Sequence, residues 1–366
     1  MKKYYIRITD RCNLHCRHCY AKNQYDQSKI KYINPEQVVR WINKDIAVNT
    51  LTRDICGIAE PETYEVSFHG GEPFVDARAC DLVEYIFKSL SEKYSKEQMH
   101  FDATTNLLIG YNSDSSPLSR LKVFLDSPYF YYENRPFLKI SWDYGNIRFN
   151  KETEKLWWDN VNLLKSWYPN IYLKVNICLT KPLIESDFLS KDWKKFEETF
   201  DEVHFEKLTK NTTPDKSLIP LYKNIDKFLV KLYKLKPSIR VDNFESIISA
   251  INGEFVGCAA RCCTDNVRTI NADGSISSCP NTFMVTLDHI DPSLSKEWKA
   301  NNKSKFDNLV YKEKFDRYYS CYICPLFKIC NGGCFQLQSD EEGSCSGDKE
   351  LMMEILLDRA KGKRRD

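Results

Sequence analysis

The stretch DRCNLHCRHCYAKNQ, residues 10–24, places Cys12, Cys16 and Cys19 in one short segment near the start of a 366-residue chain. Three thiolates can hold three irons of a [4Fe-4S] cluster and leave the fourth iron without a protein ligand. An iron without a protein ligand is a binding site. Two alternatives stay open from the spacing alone: a zinc site completed by His15 or His18, and a loop whose fourth ligand lies far along the chain.

Composition excludes several classes of protein. The 53 basic and 51 acidic residues give a formal charge of +2, so nothing indicates nucleic acid or an anionic membrane as a partner. No stretch approaches the ~20 apolar residues that a membrane span needs, and the first residues lack the apolar run of a signal peptide. We therefore expect a cytoplasmic protein that binds neither membranes nor nucleic acid.

Fifteen cysteines in such a chain indicate metal binding, because a reducing compartment disfavours disulfides. They form one group at the start and a second group between residues 258 and 345. The isolated Cys56, Cys80 and Cys178 are interpreted as small buried apolar side chains.

Strand-like and helical segments alternate along the first half of the chain. The patterns predict strands within 4–8, 64–73, 100–106, 137–145, 171–180 and 203–209, and helices over 35–46, 77–94 and 151–168. Strands separated by helices indicate right-handed crossovers and a parallel sheet, curved or closed. In such barrels the functional residues gather at the carboxyl ends of the strands, where the cysteine loop and Gly70-Gly71-Glu72-Pro73 fall.

With these two motifs the sequence resembles the radical S-adenosylmethionine (SAM) enzymes. The resemblance rests on the three cysteines, with the aromatic His18 before the last of them, and on Gly70-Gly71-Glu72-Pro73 after the second strand. It implies an α/β fold, a partial (β/α)6 TIM-like barrel, whose open iron chelates the amino and carboxylate groups of SAM. Reductive cleavage of SAM would then give methionine and a 5′-deoxyadenosyl radical that abstracts hydrogen from a substrate.

The SAM contacts that the resemblance implies lie beside the cysteine loop and at strand ends. Glu72 is expected to accept hydrogen bonds from the methionine ammonium, and the two glycines to let the backbone approach the ligand. Ser141 and Asp143 match positions that bind the SAM ribose. Without the cysteine loop, the glycines would indicate only a turn and the polar strand ends only caps. The full set is His18, Gly70, Gly71, Glu72, Pro73, Thr105, Asn106, Ser141 and Asp143.

The second group of cysteines surrounds a predicted hairpin. Asp273-Gly274 indicates a tight turn between the strand-like runs VRTI and SIS, and a C-x2-C-x5-C-x3-C run with a trailing cysteine follows downstream. A zinc ribbon explains part of this pattern but leaves many thiols unused.

This region resembles the SPASM extension, which binds two auxiliary [4Fe-4S] clusters in a subset of the radical SAM enzymes, so three clusters are expected in all. By resemblance, the first auxiliary cluster would be held by Cys258, one of Cys262 or Cys263, Cys279 and Cys334. The second would be held by Cys321, Cys324, Cys330 and Cys345. The adjacent pair departs from the pattern, and the sequence does not choose between its two thiols.

The expected organisation is a radical SAM partial barrel over 1–210, a bridging helical region over 211–256, and a SPASM domain with a C-terminal helix over 257–366. In the bridging region an apolar stripe at helical spacing is interpreted as core packing. The final helix is predicted over 349–363.

Three functions follow as hypotheses. The resemblance implies radical modification of a peptide, such as a crosslink or an epimerised residue in the maturation of a ribosomally made peptide (RiPP). The alternatives are the same chemistry on a sugar or aminoglycoside intermediate, and a non-catalytic metal-binding scaffold. Pro280 and Asn281 follow the hairpin's last cysteine, where sulfatase maturases have an aspartate base, which argues against that activity. The sequence identifies no catalytic residue.

The expected partners are a peptide substrate and an electron donor of the flavodoxin or ferredoxin type. Many peptide maturases carry a leader-binding domain ahead of the first cysteine loop. Because Cys12 is so near the start of this sequence, a separate leader-binding partner is expected instead.

Overall fold

The computed structural model describes residues 1–19, 21, 29–56, 62–109, 117–209, 213–253, 267–277, 279, 288–295, 321, 323–330, 333–334, 337 and 345–362. Its strands are β1 (Lys2–Arg7), β2 (Tyr64–His69), β3 (Met99–Thr105), β4 (Tyr131–Tyr132), β5 (Arg135–Trp142), β6 (Tyr172–Leu179), β7 (Glu202–Lys207), β8 (Arg240–Val241), β9 (Val267–Ile270), β10 (Ser275–Ser277) and β11 (Asp288–His289).

The strands form a sheet in the order β11-β10-β9-β1-β2-β3-β5-β6-β7-β8, and β4 pairs with β5. The run from β1 to β8 is parallel, with Lys3 opposite Glu65 and Ile140 opposite Val175. The hairpin of β9 and β10 joins this sheet, because β9 lies parallel to β1. The predicted parallel sheet is therefore confirmed: it contains the six predicted strands β1, β2, β3, β5, β6 and β7, and the two-residue β8 extends it.

Helices connect the strands. They are α1 (Pro35–Ile55), α2 (Ala77–Ser91), α3 (Pro117–Leu125), α4 (Lys151–Trp167), α5 (Lys181–Glu185), α6 (Phe188–Lys191), α7 (Trp193–Thr199), α8 (Tyr222–Lys234), α9 (Asp242–Ile251), α10 (Phe327–Cys330) and α11 (Lys349–Ala360). Asn34 caps α1 by accepting a hydrogen bond from the Gln37 backbone N–H at 3.0 Å. No described helix combines the length and the apolar content that a membrane span requires.

The two faces of the sheet differ in chemistry. One face is apolar and packs against the helices, as where Phe101 of β3 meets Phe87 of α2 with ring centroids 5.1 Å apart. The opposite face, called here the inner face, carries polar side chains at alternate positions, among them Lys3, Lys139 and Lys174. Side chains alternate across a strand, so polar and apolar residues also alternate in the sequence.

Most predicted elements agree with the structure to within a few residues, and the predicted turn at Asp273-Gly274 joins β9 to β10. Four predictions were wrong in detail. Helix α1 continues to Ile55, and the final helix ends at Ala360. Cys178 is only partly buried, and Cys56 is exposed at the end of α1. Cys56 follows a helix whose last turns face solvent, so no core surrounds it.

Candidate functional site

The cysteine loop leaves the carboxyl end of β1 and stays beside it. Cys12, Cys16 and Cys19 are all free thiols, and Cys16 is only 6% exposed. Burial, together with the neighbouring negative charges of Glu72, Cys16 and Cys19, raises the pKa of Cys12 to about 12. Such thiols ionise only beside a strong positive charge, which a bound metal centre supplies.

The spacing of these sulfurs bears on the choice between a zinc site and an iron-sulfur cluster. The three do not all lie within 4.8 Å of one another, and they are not grouped with a nearby histidine or carboxylate at that distance among the described residues. A tetrahedral zinc site with Zn–S bonds of about 2.3 Å would hold its sulfurs roughly 3.8 Å apart. Three free thiols on one loop are a donor set that can hold three irons of a [4Fe-4S] cluster, so the chain's own residues fit that group.

Gly70 and Gly71 hold the next loop against the cysteine loop. A Cβ on Gly71 would lie 2.2 Å from the Arg11 carbonyl oxygen, and one on Gly70, whose φ is +154°, would lie 2.7 Å from the Thr9 oxygen. The Gly71 N–H donates to the Thr9 oxygen at 2.7 Å. The glycines thus permit close contact between two backbone segments, where the sequence predicted close contact with a ligand.

Glu72 is a buried carboxylate surrounded by donors. Its oxygens accept hydrogen bonds from the Thr105 hydroxyl at 2.8 Å, the Asn106 N–H at 2.7 Å and the Phe74 N–H at 3.2 Å. Burial nevertheless raises the pKa of Glu72 to about 7. A cationic ligand group would therefore be attracted to a carboxylate that has little water to stabilise its charge.

Asn106 connects this carboxylate to the cysteine loop. Its side-chain amide donates to the Asn13 side-chain oxygen at 2.8 Å and lies 3.8 Å from the Cys12 sulfur. Asn13 in turn donates to the Leu108 carbonyl at 2.5 Å. The structure therefore brings Cys12, Glu72, Thr105 and Asn106 into one cluster. Asn13 was missed in the sequence, where it is only one residue of the cysteine loop.

Asp143 lies at the end of β5 in a second polar cluster. Its carboxylate accepts from Arg148 Nε at 2.6 Å and from the Cys178 backbone N–H at 2.8 Å, and lies 3.4 Å from His18 Nε2. Burial lowers the pKa of His18, which favours a neutral imidazole. Burial opposes the charge of Arg148, but Asp143 raises its pKa, so the guanidinium stays charged.

Arg148 also decides what this second cluster can bind. One atom each from His18, Asp143 and Cys178 lie within 4.8 Å of one another, a spacing that metal ligands also have. The guanidinium, however, contacts both Asp143 and His18, the latter at 3.3 Å, and its charge repels a cation. The second cluster is therefore better described as a set of residues that hold His18 of the cysteine loop in place. Arg148 was missed because nothing in the sequence distinguishes it from a surface arginine.

Ser141 lies two residues before Asp143 and faces the same inner side of β5, half-buried opposite Asn176. Pro73 is buried beside Glu72. The structure therefore places the predicted SAM-binding residues at the carboxyl ends of β1, β2, β3 and β5, as the resemblance implies.

On the inner face, ion pairs lie below the carboxyl ends of the strands. Lys139 lies 2.6 Å from Asp102 and 3.4 Å from Glu65, and Lys174 lies 2.7 Å from Glu202. Each charge has an opposite partner, which a poorly hydrated position requires.

His204 of β7 adds a titratable member to this face. It lies 2.9 Å from Asp242 and 3.6 Å from Glu206, and although burial lowers its pKa, these two carboxylates raise it to about 9. The stabilisation from the charged imidazole is complete below its ordinary pKa of about 6.5 and is lost as the pH rises through about 9.

The His204→Gln variant lacks the charged imidazole, so it should differ most from the parent at low pH. We expect the difference in unfolding free energy between the parent chain and this variant to shrink by about 1 kcal/mol between pH 6.5 and 9.5. The change is this small because solvent partly screens a side chain that is one-third exposed. Chemical denaturation at several pH values measures this difference. His100→Gln, at an exposed histidine, is the control. A pH-independent difference for His204→Gln would contradict the prediction.

Four of the described C-terminal cysteines form a second thiol group. Burial, together with the neighbouring charges of Cys345 and Cys321, raises the pKa of Cys330 to about 12, so these three thiols are neighbours. The Cys324 N–H donates to the Cys321 carbonyl at 2.9 Å, which places Cys324 in the same turn. These are the four residues predicted for the second auxiliary cluster.

The residues predicted for the first auxiliary cluster are only partly described. Cys279 is buried after the hairpin and Cys334 is half-buried near α10. Cys258, Cys262 and Cys263 lie outside the described residues, as do Pro280 and Asn281.

Comparisons with known proteins agree with this architecture. A family of 4Fe-4S single cluster domains matches residues 5–143, the segment that contains the cysteine loop, Glu72 and Asp143. No curated protein sequence matches the chain.

Solved structures match nearly the whole chain. Native anSMEcpe with bound AdoMet and Cp18Cys peptide has a TM-score of 0.70 at 17% identity and covers 99% of both chains. Native anSMEcpe with bound AdoMet has a TM-score of 0.68 at 16% identity, with 99% of this chain and 98% of that chain covered. The form with bound AdoMet and Kp18Cys peptide has a TM-score of 0.67 at 18% identity, with 99% and 98% covered. The fold expected from the resemblance is confirmed: the chain has the α/β fold of the anSMEcpe structures, and the 4Fe-4S family matches its amino-terminal part.

Proposed function

We propose that this chain is a radical SAM enzyme that modifies a peptide. The observation that carries the proposal is the contact between the three-cysteine loop and the Gly70-Gly71-Glu72 loop, which puts three free thiols beside a buried carboxylate. Cys12, Cys16 and Cys19 would hold a [4Fe-4S] cluster. Reduced, that cluster would supply the electron that cleaves SAM into methionine and a 5′-deoxyadenosyl radical.

The chain's own residues would hold and orient SAM. Glu72 offers its carboxylate to a cationic group, and the three donors around Glu72 fix the position of its oxygens. Ser141 and Asp143 would bind the ribose from β5, with Arg148 fixing the Asp143 carboxylate. His18 would lie against the cofactor from the cysteine loop, held by the Asp143 and Arg148 pair.

The peptide substrate is supported by the neighbouring folds, since anSMEcpe binds the Cp18Cys and Kp18Cys peptides with AdoMet present. The two auxiliary clusters of the C-terminal region would provide an acceptor for one electron, which a crosslink requires and an epimerisation does not. Pro280 and Asn281 still argue against the sulfatase reaction, so we propose a different peptide modification.

Anaerobic reconstitution tests this function. The chain is loaded with iron and sulfide, treated with dithionite and SAM, and assayed for 5′-deoxyadenosine. We expect about twelve irons per chain, from roughly four per cluster, and 5′-deoxyadenosine formation that depends on the reductant. A zinc-loaded chain without 5′-deoxyadenosine would contradict the proposal. Product mass spectra with candidate peptides, and with sugars as the alternative, then identify the substrate class.

Glu72 gives a separate prediction for SAM binding. Glu72→Gln removes the charge and turns an amide N–H2 toward groups that already donate hydrogen bonds, Thr105 and the Asn106 N–H. We expect a loss of SAM affinity of about 10- to 100-fold, since a charge-assisted hydrogen bond contributes about 1.5–3 kcal/mol. Equilibrium binding of SAM to the reconstituted chain measures the loss.

Glu154→Gln is the matched control for this prediction. Glu154 accepts a hydrogen bond from Trp142 Nε1 at 3.2 Å on the helix-covered side of β5. Both variants should keep the iron content of the parent. Equal SAM affinity in the Glu72→Gln variant and the parent would remove Glu72 from the binding site.

A further inference from the structure

Lys207, the last residue of β7, connects the barrel to the turn that follows the last cysteine. Its ammonium donates to the Ser346 carbonyl at 2.7 Å and lies 2.6 Å from Asp348 Oδ1. The lysine side chain is 11% exposed and the aspartate side chain 16%. A largely buried charge-assisted contact of this length fixes the turn, residues 345–348, to the end of a barrel strand.

The same turn lies directly on two thiols. A Cβ on Gly347 would be 2.6 Å from the Cys330 sulfur and 3.3 Å from the Cys345 sulfur, so only glycine fits between them. The Gly347 N–H also lies 3.3 Å from the Cys345 sulfur as a donor. Any shift of the turn therefore moves Cys345 relative to Cys330.

A second residue fixes the other end of the turn. Asp226 of α8 accepts hydrogen bonds from the Glu350 N–H at 2.7 Å and the Leu351 N–H at 2.9 Å, which caps α11 from outside. Asp348, the residue before α11, has φ of +54° and makes no side-chain cap of its own. The turn is thus held by α8 on one side, and Lys207 is left to set its position against the barrel.

We propose that Lys207 is a positioning residue for the auxiliary cluster predicted at Cys321, Cys324, Cys330 and Cys345. It fixes the turn that carries Cys345 and holds a positive charge beside the cluster. The inference rests on the proposed function, because it takes these cysteines as cluster ligands. A positive charge stabilises the reduced cluster, which carries one more negative charge than the oxidised one, and so raises its reduction potential.

The test separates this cluster from the SAM cluster. A parent chain with Cys12, Cys16 and Cys19 all changed to alanine keeps only the C-terminal thiol sites and is expected to bind about eight irons, from roughly four per cluster. Lys207→Met and Lys207→Arg are made in this chain. Iron and sulfide are counted, and a redox titration followed by electron paramagnetic resonance gives the midpoint potentials, with the other auxiliary cluster as internal reference.

We expect Lys207→Met to shift one midpoint potential to a more negative value, or to lose the irons of that one cluster. Lys207→Arg should keep the parent's iron content and midpoint potentials. Lys234→Met is the control, since Lys234 pairs with Glu354 of α11 at 2.8 Å and not with the turn of residues 345–348. Parent iron content and parent potentials in Lys207→Met would overturn the inference. An equal effect of Lys234→Met would also overturn it, because the cause would then be loosened docking of α11.

Failure of the proposed function has a different signature. If the parent chain itself binds no iron at the C-terminal cysteines, the cluster assignment fails before Lys207 is tested. If the parent binds this iron and Lys207→Met behaves as the parent does, only the role of Lys207 fails.

Discussion

Replacing Cys16 with alanine should abolish the formation of 5′-deoxyadenosine. Cys16 is the most buried of the three thiols, and alanine removes a sulfur donor without adding volume. Loss of a residue that hydrogen-bonds to a metal ligand typically costs about 10- to 100-fold in activity, so loss of the ligand itself should exceed about 100-fold. The 5′-deoxyadenosine formed from SAM and dithionite, together with the iron count, measures the effect.

Cys56→Ala is the matched control, because it removes an exposed thiol at the end of α1. It should retain the iron content and the 5′-deoxyadenosine yield of the parent. A Cys16→Ala chain with full activity would show that the radical is not generated at this loop. A loss of iron and of 5′-deoxyadenosine in both variants would show that cysteine replacement itself damages the chain.

Gly71→Ala is expected to be the most destructive change of a single small residue near the site. The new Cβ would lie 2.2 Å from the Arg11 oxygen, 2.5 Å from the Arg11 carbonyl carbon and 2.7 Å from the Asp10 oxygen, all of them backbone atoms. The cysteine loop would have to move, and with it the hydrogen bonds from Gly71 N–H to Thr9 and from Glu72 N–H to Arg11. We expect a cost of about 3 kcal/mol or more, the upper range of overpacking.

Thermal unfolding and the iron content of the N-terminal site measure this change together. The control is Gly253→Ala, where φ is +80° but nothing lies within 4 Å of the new Cβ. It should cost about 1 kcal/mol, from backbone conformation alone, and leave the iron content unchanged. If Gly71→Ala is no worse than Gly253→Ala, the two loops do not depend on this close contact.

The site could be predicted from the sequence wherever the chemistry lies in consecutive residues. The three cysteines and the Gly-Gly-Glu-Pro motif are each local, so the sequence indicated a metal-binding loop and carried the family resemblance that assigned the second motif to SAM binding. The predicted strands and helices followed from alternation and helical spacing in the same way. The close contact of Gly71 with the Arg11 backbone escaped prediction, because Arg11 lies sixty residues earlier in the sequence.

Residues that act through distant partners escaped prediction for the same reason. Arg148 looks like an ordinary arginine until the fold brings it against Asp143 and His18. Lys207 acquires its role only through Ser346 and Asp348, more than one hundred residues away. A charged side chain is normally hydrated, and only tertiary packing removes the water around it.

The sequence by itself indicated metal binding by thiols and determined the alternation of strands and helices, because thiol spacing and side-chain periodicity are properties of neighbouring residues. Only the tertiary structure decided which thiols share a site and which carboxylates lose their water. It also decided where a glycine is required. Each of these depends on atoms from strands that are distant in the chain and adjacent in the sheet, where burial and close backbone contact arise together.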